Sequence, residues 1–191
     1  FGPLGGPAVG LVLGATDPRR NWHAEGYARV IDEIGRRLGL PCVLLGGPSE
    51  EEARMAAGIL SRFRGPVPPI DARRDGLRRM LWLLGGSALV VSPDTGPLHM
   101  ARAVGTPVVG LYGRTNPRRA GPYRAWHDLL VDGYAEHPGE AYDASRSYRN
   151  GMGRITPDQV LEKVVVALER YVGTTAGGRG STPTSDRGAT P

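Results

Sequence analysis

Cysteine is almost missing from this chain of 191 residues, in which Cys42 is the single one. An intrachain disulfide and a metal site built from several cysteines are therefore excluded. Because Cys42 lies in an apolar run, we expect a buried and unreactive thiol. The sequence also lacks a run of about 18 apolar residues, the length that a helix needs to cross a bilayer.

Lysine is equally scarce, since Lys163 is the only one among 24 basic residues. The formal net charge is nevertheless +5, and a basic surplus is typical of proteins that bind a nucleic acid or an anionic membrane. No basic stripe with interleaved aromatic residues occurs, so we expect no nucleic acid partner. Weak attraction to an anionic phospholipid surface remains as the expectation.

Several ligand motifs are absent as well. The sequence contains neither G-x-G-x-x-G nor G-x-x-x-x-G-K-[ST], which argues against a dinucleotide cofactor and against a P-loop. No cluster of His, Cys, Asp or Glu has the spacing of metal ligands. We therefore expect neither a metal ion nor a bound cofactor.

Short apolar runs alternate with helical patterns, which is typical of βαβ units and a parallel sheet. The predicted strands are residues 8–13, 42–45, 67–70, 88–91, 108–111 and 126–131. The predicted helices are residues 23–38, 49–63, 75–84, 96–104 and 156–172, and two of them begin with a capping-box pattern, Ser49 with Glu52 and Thr156 with Gln159. The predicted fold class is α/β, with a Rossmann-like parallel sheet and helices on both faces.

Composition divides the chain into three parts. Residues 1–7 have the pattern of a linker, and residues 8–172 suit one domain with a sizeable core. Residues 173–191 are mostly Gly, Ser, Thr, Pro and Ala, which bury too little apolar surface to offset the entropy cost of ordering, so we expect a disordered tail. The start at Phe1 within a linker-like segment predicts a piece of a longer polypeptide.

Residues 92–101 hold the most chemistry, because a polar turn there joins an apolar strand to a helix. Such a helix start has unpaired N–H groups and the positive end of the helix dipole, so it can hold a phosphate or diphosphate. Thr95 and Gly96 lie at the entrance, where a hydroxyl and a bare backbone let an anion approach. His99 could donate to a phosphate oxygen of a leaving group, or be a histidine satisfied within the core. Asp94 could accept a sugar hydroxyl, or act only as a cap.

Three further loops follow predicted strands, at residues 14–22, 46–50 and 113–117. In an open parallel sheet, ligands bind outside the carboxyl ends of the strands. We therefore expect these loops and the Asp94 turn to form one site.

The stretch D-T-G-P-L-H-x-A-x-A-V-G-T-P-V-V-G-L-Y-G, residues 94–113, closely resembles the C-terminal half of glycosyltransferase family 9, the lipopolysaccharide heptosyltransferases. The resemblance covers roughly residues 8–170 and includes G-L-V-L-G-A at 10–15, R-N-W at 20–22, V-L-L-G-G-P-S-E at 43–50 and Y-G-R-T-N-P at 112–117. Two motifs differ. The family commonly has H-P-G after the first strand and G-P-T after the last, where this chain has L-G-A and G-R-T.

This resemblance implies the nucleotide-sugar-binding, C-terminal half of a two-domain GT-B enzyme that transfers heptose from ADP-heptose to the inner core of lipopolysaccharide. Arg20 would neutralise the diphosphate. The leaving group would be stabilised by Arg20, by His99 and by the helix amides at Thr95 and Gly96. Glu50 would bind the ribose, and Thr16 would lie near the phosphates. A solvated arginine and a favourable charge in the first helical turn are the alternative interpretations of Arg20 and Glu50.

The resemblance places the lipid-linked saccharide acceptor and the general base in the N-terminal domain, which this chain lacks. We therefore expect this chain to bind the donor without turnover on its own. The expected location is cytoplasmic, with peripheral contact to the inner face of the inner membrane as an open alternative. Two other functions remain open: another GT-B enzyme that uses a UDP- or GDP-sugar, as a transferase or an epimerase, and a non-catalytic nucleotide-binding module.

Overall fold

Six parallel strands form the centre of the molecule in a computed structural model that describes residues 7–74, 76–122 and 126–172. In chain order they are β1 (Val9–Val12), β2 (Cys42–Leu45), β3 (Ile70–Asp71), β4 (Leu89–Pro93), β5 (Val108–Tyr112) and β6 (Leu130–Asp132). Their order across the sheet is β3-β2-β1-β4-β5-β6. Every neighbouring pair is parallel, as expected for strands that are apolar on both faces.

Helices cover both faces of this sheet. They are α1 (Ala24–Leu38), α2 (Glu50–Arg62), α3 (Leu77–Gly86), α4 (Gly96–Ala103), α5 (Pro117–Ala120) and α6 (Pro157–Ala167). On one face, α1, α2 and α6 bury Tyr27, Ile59 and Val164 against the strands. On the other face, α3 and α4 bury Leu84 and Leu98. The predicted Rossmann-like α/β fold with helices on both faces is thereby confirmed.

Two hydrogen bonds within the core hold the end of β1 and the loop that follows it. The Tyr27 hydroxyl on α1 donates to the Val12 carbonyl at 2.7 Å. The indole Nε1 of Trp22 donates to the Ile155 carbonyl, just before α6, at 3.1 Å. Both donors belong to large aromatic side chains that are fully buried, so each needs such a partner. The loop after β1 is thus fixed by hydrogen bonds to the buried core.

The single thiol is buried, as its apolar surroundings predict. Cys42 is 1% exposed in β2, and burial raises the pKa of its thiol to about 12. A thiol that stays protonated at neutral pH is a poor nucleophile and a poor metal ligand.

Several element boundaries differ from the sequence prediction. β3 comprises Ile70–Asp71 and not residues 67–70, because prolines precede Ile70 and have no N–H for strand pairing. The predicted strand 126–131 starts as a 3₁₀ turn at His127–Leu129, and β6 therefore begins later. The last helix ends in a π-helical turn at Leu168–Val172. α5 lies where the sequence predicted only turns.

The two predicted capping boxes have different outcomes. At the start of α6, the Thr156 hydroxyl and the Gln159 side chain satisfy each other's backbone N–H, as predicted. At the start of α2, the Ser49 hydroxyl accepts from the Glu52 amide. The Glu52 carboxylate, however, accepts from the Gly47 amide at 3.1 Å and not from Ser49 N–H. This box is only half formed, because the turn before α2 uses the carboxylate.

The predicted linker and the predicted tail lie almost entirely outside the described residues, and both stay predictions. Of the predicted helix 75–84, residue 75 is also outside, and α3 begins at Leu77. Among the helices of the described ranges, none combines the length and the apolar composition that crossing a membrane requires.

Candidate functional site

β1 and β4 lie side by side in the centre of the sheet. The chain leaves β1 toward β2 on one side and leaves β4 toward β5 on the other. The connections after these two strands therefore diverge, and they leave a crevice at the carboxyl ends, where open α/β sheets bind ligands. The loop 13–22 follows β1, and Asp94 and Thr95 follow β4.

A cleft of about 400 Å³ opens at this crevice. Its walls come from the segments after β1, β2 and β4 and from α3, and they include Gly14, Thr16, Gly47, Glu51, Met80 and Thr95. Of the residues predicted for a ligand, Thr16 and Thr95 thus line one cleft, although they follow different strands.

Glu52 forms one wall of this cleft and requires glycine beside it. A Cβ at Gly14 would lie 2.6 Å from the Glu52 Cγ, and a Cβ at Gly46 would overlap the Glu52 carboxylate. That carboxylate also accepts from the Ser49 hydroxyl at 2.8 Å. The turn after β2 is therefore held by a fixed negative charge, and the two glycines make room for it.

Asp94 connects three segments at the edge of the cleft. Its side chain is 6% exposed, and Oδ2 accepts a hydrogen bond from the Thr115 hydroxyl at 2.6 Å. Arg20 Nη1 donates to the Asp94 carbonyl at 3.2 Å and lies 3.4 Å from Oδ2. His99 Nε2 on α4 lies 3.6 Å from Oδ1. The structure thus unites Arg20, Asp94 and His99 and adds Thr115, which follows β5.

The environment of Asp94 favours its charged form. Burial opposes ionisation of this carboxyl, but the interactions with His99 and Thr115 and the charge of Arg20 outweigh burial and lower its pKa below the ordinary value. Asp94 is therefore a carboxylate at neutral pH. Its negative charge holds the cationic Arg20 in place, but this charge does not itself favour the binding of an anion.

The start of α4 offers groups to an anion. Thr95 is the N-cap of this eight-residue helix, but its hydroxyl makes no capping hydrogen bond. Pro97 lies in the first turn, where its missing N–H costs nothing. The Thr95 hydroxyl therefore has no capping role, and Thr95 lines the cleft at the positive end of the helix dipole.

Comparison with known proteins identifies the family. The sequence model of glycosyltransferase family 9 (heptosyltransferase) matches residues 2–140. The chain belongs to this family. The lipopolysaccharide core heptosyltransferase OpsX of Haemophilus influenzae is 34% identical over 125 residues, which are 64% of this chain and 35% of OpsX. Lipopolysaccharide heptosyltransferase 2 of Escherichia coli is 29% identical over 171 residues, which are 85% of this chain and 47% of that enzyme.

A solved structure from the family has the same architecture. The crystal structure of the glycosyl transferase family 9 protein from Veillonella parvula DSM 2008 is 27% identical, with a TM-score of 0.70. The match covers 85% of this chain and 46% of that one. The chain thus spans between a third and a half of the length of these relatives, which is consistent with the expected C-terminal half of a GT-B glycosyltransferase.

Glu50, which the family resemblance implied for the ribose, does not reach the cleft. Its side chain is 94% exposed, with Arg54 3.7 Å away. The carboxylates that line the cleft belong to Glu51 and Glu52, because successive residues of a helix point about 100° apart. The ribose role of Glu50 stays a prediction, and the geometry favours its neighbours.

The sequence analysis missed two side chains that organise this family 9 site. Thr115 is the hydroxyl donor to Asp94, and only its place directly after a strand could have indicated it. Asn21 accepts from the Ala15 amide at 2.8 Å and donates to Glu51 Oε1 at 2.8 Å. It therefore joins the loop after β1 to α2 across the cleft. A single asparagine in a loop has no pattern that predicts such a pair of contacts.

Residues 133–151, here called the return loop, run back to the site after β6. Asn116 is 2% exposed, and its Nδ2 donates to the carbonyls of Asp143 and Ser145 at 2.7 and 3.1 Å. The backbone of Tyr148 also pairs with that of Thr115. The return loop is thereby attached to the segment after β5, at Asn116 and at Thr115, the residue that contacts Asp94.

Glycines allow the two ends of the return loop to cross. The Gly151 amide donates to the Gly113 carbonyl at 2.8 Å, and the Gly133 amide donates to the Tyr112 carbonyl at 2.8 Å. A Cβ at Gly151 would overlap the Gly133 carbonyl oxygen, and a Cβ at Gly113 would overlap the backbone of Met152. Three backbone segments are in direct contact here, with no space for a side chain.

Proposed function

We propose that this chain is the donor-binding half of a heptosyltransferase that transfers heptose from ADP-heptose to the inner core of lipopolysaccharide. The observation that carries the proposal is the Arg20–Asp94–Thr115 group at the β1–β4 crevice of a family 9 chain. It fixes a cation beside the start of α4, where a diphosphate would bind.

The cleft suits a nucleoside diphosphate. Its apolar parts, including Val12 and Met80, can receive a base, and the carboxylate of Glu51 can accept from a ribose hydroxyl. Glu51 Oε1 is bonded to Asn21, while Oε2 has no hydrogen-bond partner among the residues that the structure describes. The diphosphate would then reach the Thr95 hydroxyl and the α4 N-terminus.

The residues around the diphosphate stabilise the departing group. In the transfer, the bond from heptose C1 to the phosphate oxygen breaks, and its electron pair stays on the diphosphate. An acceptor hydroxyl bonds to C1 and gives its proton to a base outside this chain. Because the leaving group gains negative charge, donors fixed in advance lower the barrier. Arg20, His99 and the α4 N-terminus supply that stabilisation.

The acceptor side lies in a domain outside this chain, as the family resemblance implies. We propose that the lipid-linked saccharide and the general base meet there, and that weak attraction to anionic phospholipid keeps the enzyme at the cytoplasmic membrane face. No metal ion takes part in the proposed step. The chain alone binds donor without appreciable transfer.

ADP is expected to stabilise the chain selectively against heat. A ligand at about a hundred times its dissociation constant adds roughly 2.7 kcal/mol, which moves the unfolding midpoint of a domain of this size by several degrees. The measurement is thermal unfolding with ADP, ADP-heptose, UDP, GDP and UDP-sugars. A shift with UDP or GDP alone would point to the other GT-B chemistries, and no shift with any nucleotide would contradict donor binding by this chain.

The matched variants for that measurement are Arg20→Ala and Arg29→Ala. Both remove one arginine, but Arg29 is an exposed residue of α1 near Asp158, outside the cleft. The ADP shift should largely disappear in Arg20→Ala and persist in Arg29→Ala. Equal loss in both variants would mean that general positive charge, and not the site, attracts the nucleotide.

Glu51→Gln is expected to weaken ADP about tenfold, which corresponds to about 1.4 kcal/mol and thus to one hydrogen bond to a charged group. Glu50→Gln, the neighbouring control, should change the affinity by less than about twofold, since its carboxylate is exposed outside the cleft. Titration calorimetry with ADP measures both. The reverse result, a larger loss of ADP affinity in Glu50→Gln than in Glu51→Gln, would support the ribose role that the family resemblance implies for Glu50.

A further inference from the structure

The outer side of α3 combines arginines with an exposed tryptophan. Successive helical residues point about 100° apart, so Arg78, Arg79 and Trp82 lie on one side of α3, opposite the buried Leu84. Trp82 is 56% exposed, although tryptophan is highly buried on average. We call the surface formed by Arg78, Arg79 and Trp82 the α3 face.

The arginines at this surface have no carboxylate partner. Arg78 is exposed and forms no hydrogen bond or ion pair with any residue that the structure describes. Arg79 Nη1 donates to a backbone carbonyl, that of Ala72, at 2.5 Å. Arg74, which precedes α3, is also exposed, and its Nη1 donates to the Arg73 carbonyl at 2.7 Å. Three guanidinium charges are therefore not neutralised by a described carboxylate.

Few acids lie near this part of the chain. Arg73 pairs with Asp71 at 2.8 Å, and the next described acid along the sequence is Asp94, which is buried and holds Arg20. Residues 72–93 contain four arginines and one acid, Asp75, which lies outside the described residues. This segment thus carries a formal charge of +3, which is four positive charges and one negative charge.

Apolar side chains are exposed at both ends of α3. Leu77 in the first turn is 68% exposed, and Val104, directly after α4, is 44% exposed. Val104 lies against the last turn of α3, since a Cβ at Gly85 would be 3.8 Å from its Cγ2. Burying these side chains together with Trp82 would be favourable in proportion to the apolar area removed from water.

A bilayer surface that contains anionic phospholipid matches this combination of groups. Arginine is attracted to the negative headgroups, and tryptophan prefers the boundary between headgroups and acyl chains. A second copy of the chain would bring like charges together. A nucleic acid would pair with the arginines but would leave Leu77 and Val104 in water.

α3 also borders the cleft proposed for the donor. Met80 lies on the side of the helix away from the α3 face and lines that cleft together with Thr16 and Thr95. A bilayer in contact with the α3 face would therefore lie about one helix diameter, about 10 Å, from the cleft wall. A lipid-linked acceptor is anchored in such a bilayer.

We propose that the α3 face binds the surface of a bilayer containing anionic phospholipid, with Trp82 at the level of the headgroups and Arg74, Arg78 and Arg79 on their phosphates. This inference rests on the proposed function, which requires an acceptor held in a membrane. It adds the place of contact, which the net charge of the chain does not provide.

Vesicles of phosphatidylcholine, with and without phosphatidylglycerol, test the proposal by co-sedimentation with the chain at low ionic strength. We expect binding only to the vesicles that contain phosphatidylglycerol, and we expect added salt to weaken it. Tryptophan fluorescence reports the contact, because Trp22 is 2% exposed and Trp82 is not. Emission should shift to shorter wavelength, brominated phospholipid should quench it, and Trp82→Phe should abolish both effects.

The test variant is Arg78→Gln with Arg79→Gln, and the control is Arg29→Gln with Arg54→Gln. Arg29 on α1 and Arg54 on α2 have exposed side chains on the opposite face of the sheet, so both variants lose the same charge. The test variant should bind the anionic vesicles about tenfold more weakly or less still, since each arginine near an anionic surface contributes to the attraction. The control should stay within about twofold of the unmodified chain.

Equal weakening in the two double variants would overturn the proposal, because net charge and not the α3 face would then attract the chain. Equal binding to neutral vesicles, no binding to either kind, or Trp82 fluorescence that brominated phospholipid leaves unchanged would overturn it too. A dimer in sedimentation velocity that the test variant dissociates would assign the face to a second copy instead.

ADP-induced thermal stabilisation of the same variants separates this inference from the proposed function. The test variant should keep the full ADP shift, which also shows that it is folded. Weak vesicle binding with an intact ADP shift in the unmodified chain would overturn the membrane contact alone. Vesicle binding that depends on the α3 face, in a chain that ADP does not stabilise, would support the contact and count against donor binding.

Discussion

Replacing Asp94 with alanine is expected to lower the free energy of unfolding by about 2–4 kcal/mol, because a lost hydrogen bond to a charged group costs about 1.5–3 kcal/mol and the Thr115 hydroxyl stays buried without its acceptor. The interactions of Asp94 with Arg20 and His99 contribute less to the free energy of unfolding. Their side chains are 29% and 50% exposed, so water replaces part of what they lose. The same change should also release Arg20 and abolish the ADP-induced shift.

Urea unfolding at neutral pH measures this effect, with Asp71→Ala as the control. Asp71 also pairs with an arginine, Arg73, at 2.8 Å, but it is more exposed than Asp94. An ion pair of that kind contributes at most about 1 kcal/mol. Similar losses in both variants would show that Asp94 is an ordinary surface charge and not the connection among three loops.

Acid provides a second measurement on the same variant. Folding lowers the pKa of Asp94, so its stabilising contribution is complete above the ordinary aspartate pKa and is lost as the pH falls through the lowered value. The stability difference between the unmodified chain and Asp94→Ala should therefore shrink on acidification. A difference that stays constant down to about pH 3, below the ordinary aspartate pKa, would argue against an ionised Asp94 as its source.

The second large effect is expected for Gly151→Ala, which should cost about 3 kcal/mol or more, the upper end of overpacking penalties. The new Cβ would overlap the Gly133 carbonyl oxygen. Because the obstacle is backbone, no rotamer change can relieve it. The end of the return loop must then move away from Gly113, and the contact between Tyr148 and Thr115 should be lost with it.

Gly153→Ala is the matched control, two residues further along the chain. A Cβ at Gly153 meets nothing within 4 Å, so this change should be neutral or stabilise the fold by up to about 1 kcal/mol. Thermal and urea unfolding of both variants give the comparison. If the two alanines behave alike, the crossing of the backbone segments is looser than the structure indicates.

Much of the fold could be predicted from the sequence. The apolar runs of β1, β2, β4 and β5 are buried on both faces, so hydrophobicity alone locates them, and right-handed crossover connections then place the helices on two faces. The turn at Asp94 was also predictable, since a strand, a polar turn and a proline near the helix start follow one another. These features depend on local sequence, and they can therefore be predicted without knowledge of the tertiary contacts.

The features that could not be predicted depend on contacts between segments that are distant in the sequence. Glu50, Glu51 and Glu52 are chemically equivalent in the sequence, and only the rotation of α2 decides which carboxylate enters the cleft. Thr115 becomes part of the site because β5 lies beside β4. The return loop has no periodic pattern. Its path follows from the backbone contacts of Gly151 with Gly113 and Gly133, and these contacts cannot be predicted from any one of the three segments alone.

Both outer strands of the sheet are short. β3 has two residues and β6 has three, so each border exposes few unpaired amide and carbonyl groups. Intermolecular strand addition needs a long, straight row of such groups. Two chains that meet edge to edge would therefore gain little from strand pairing.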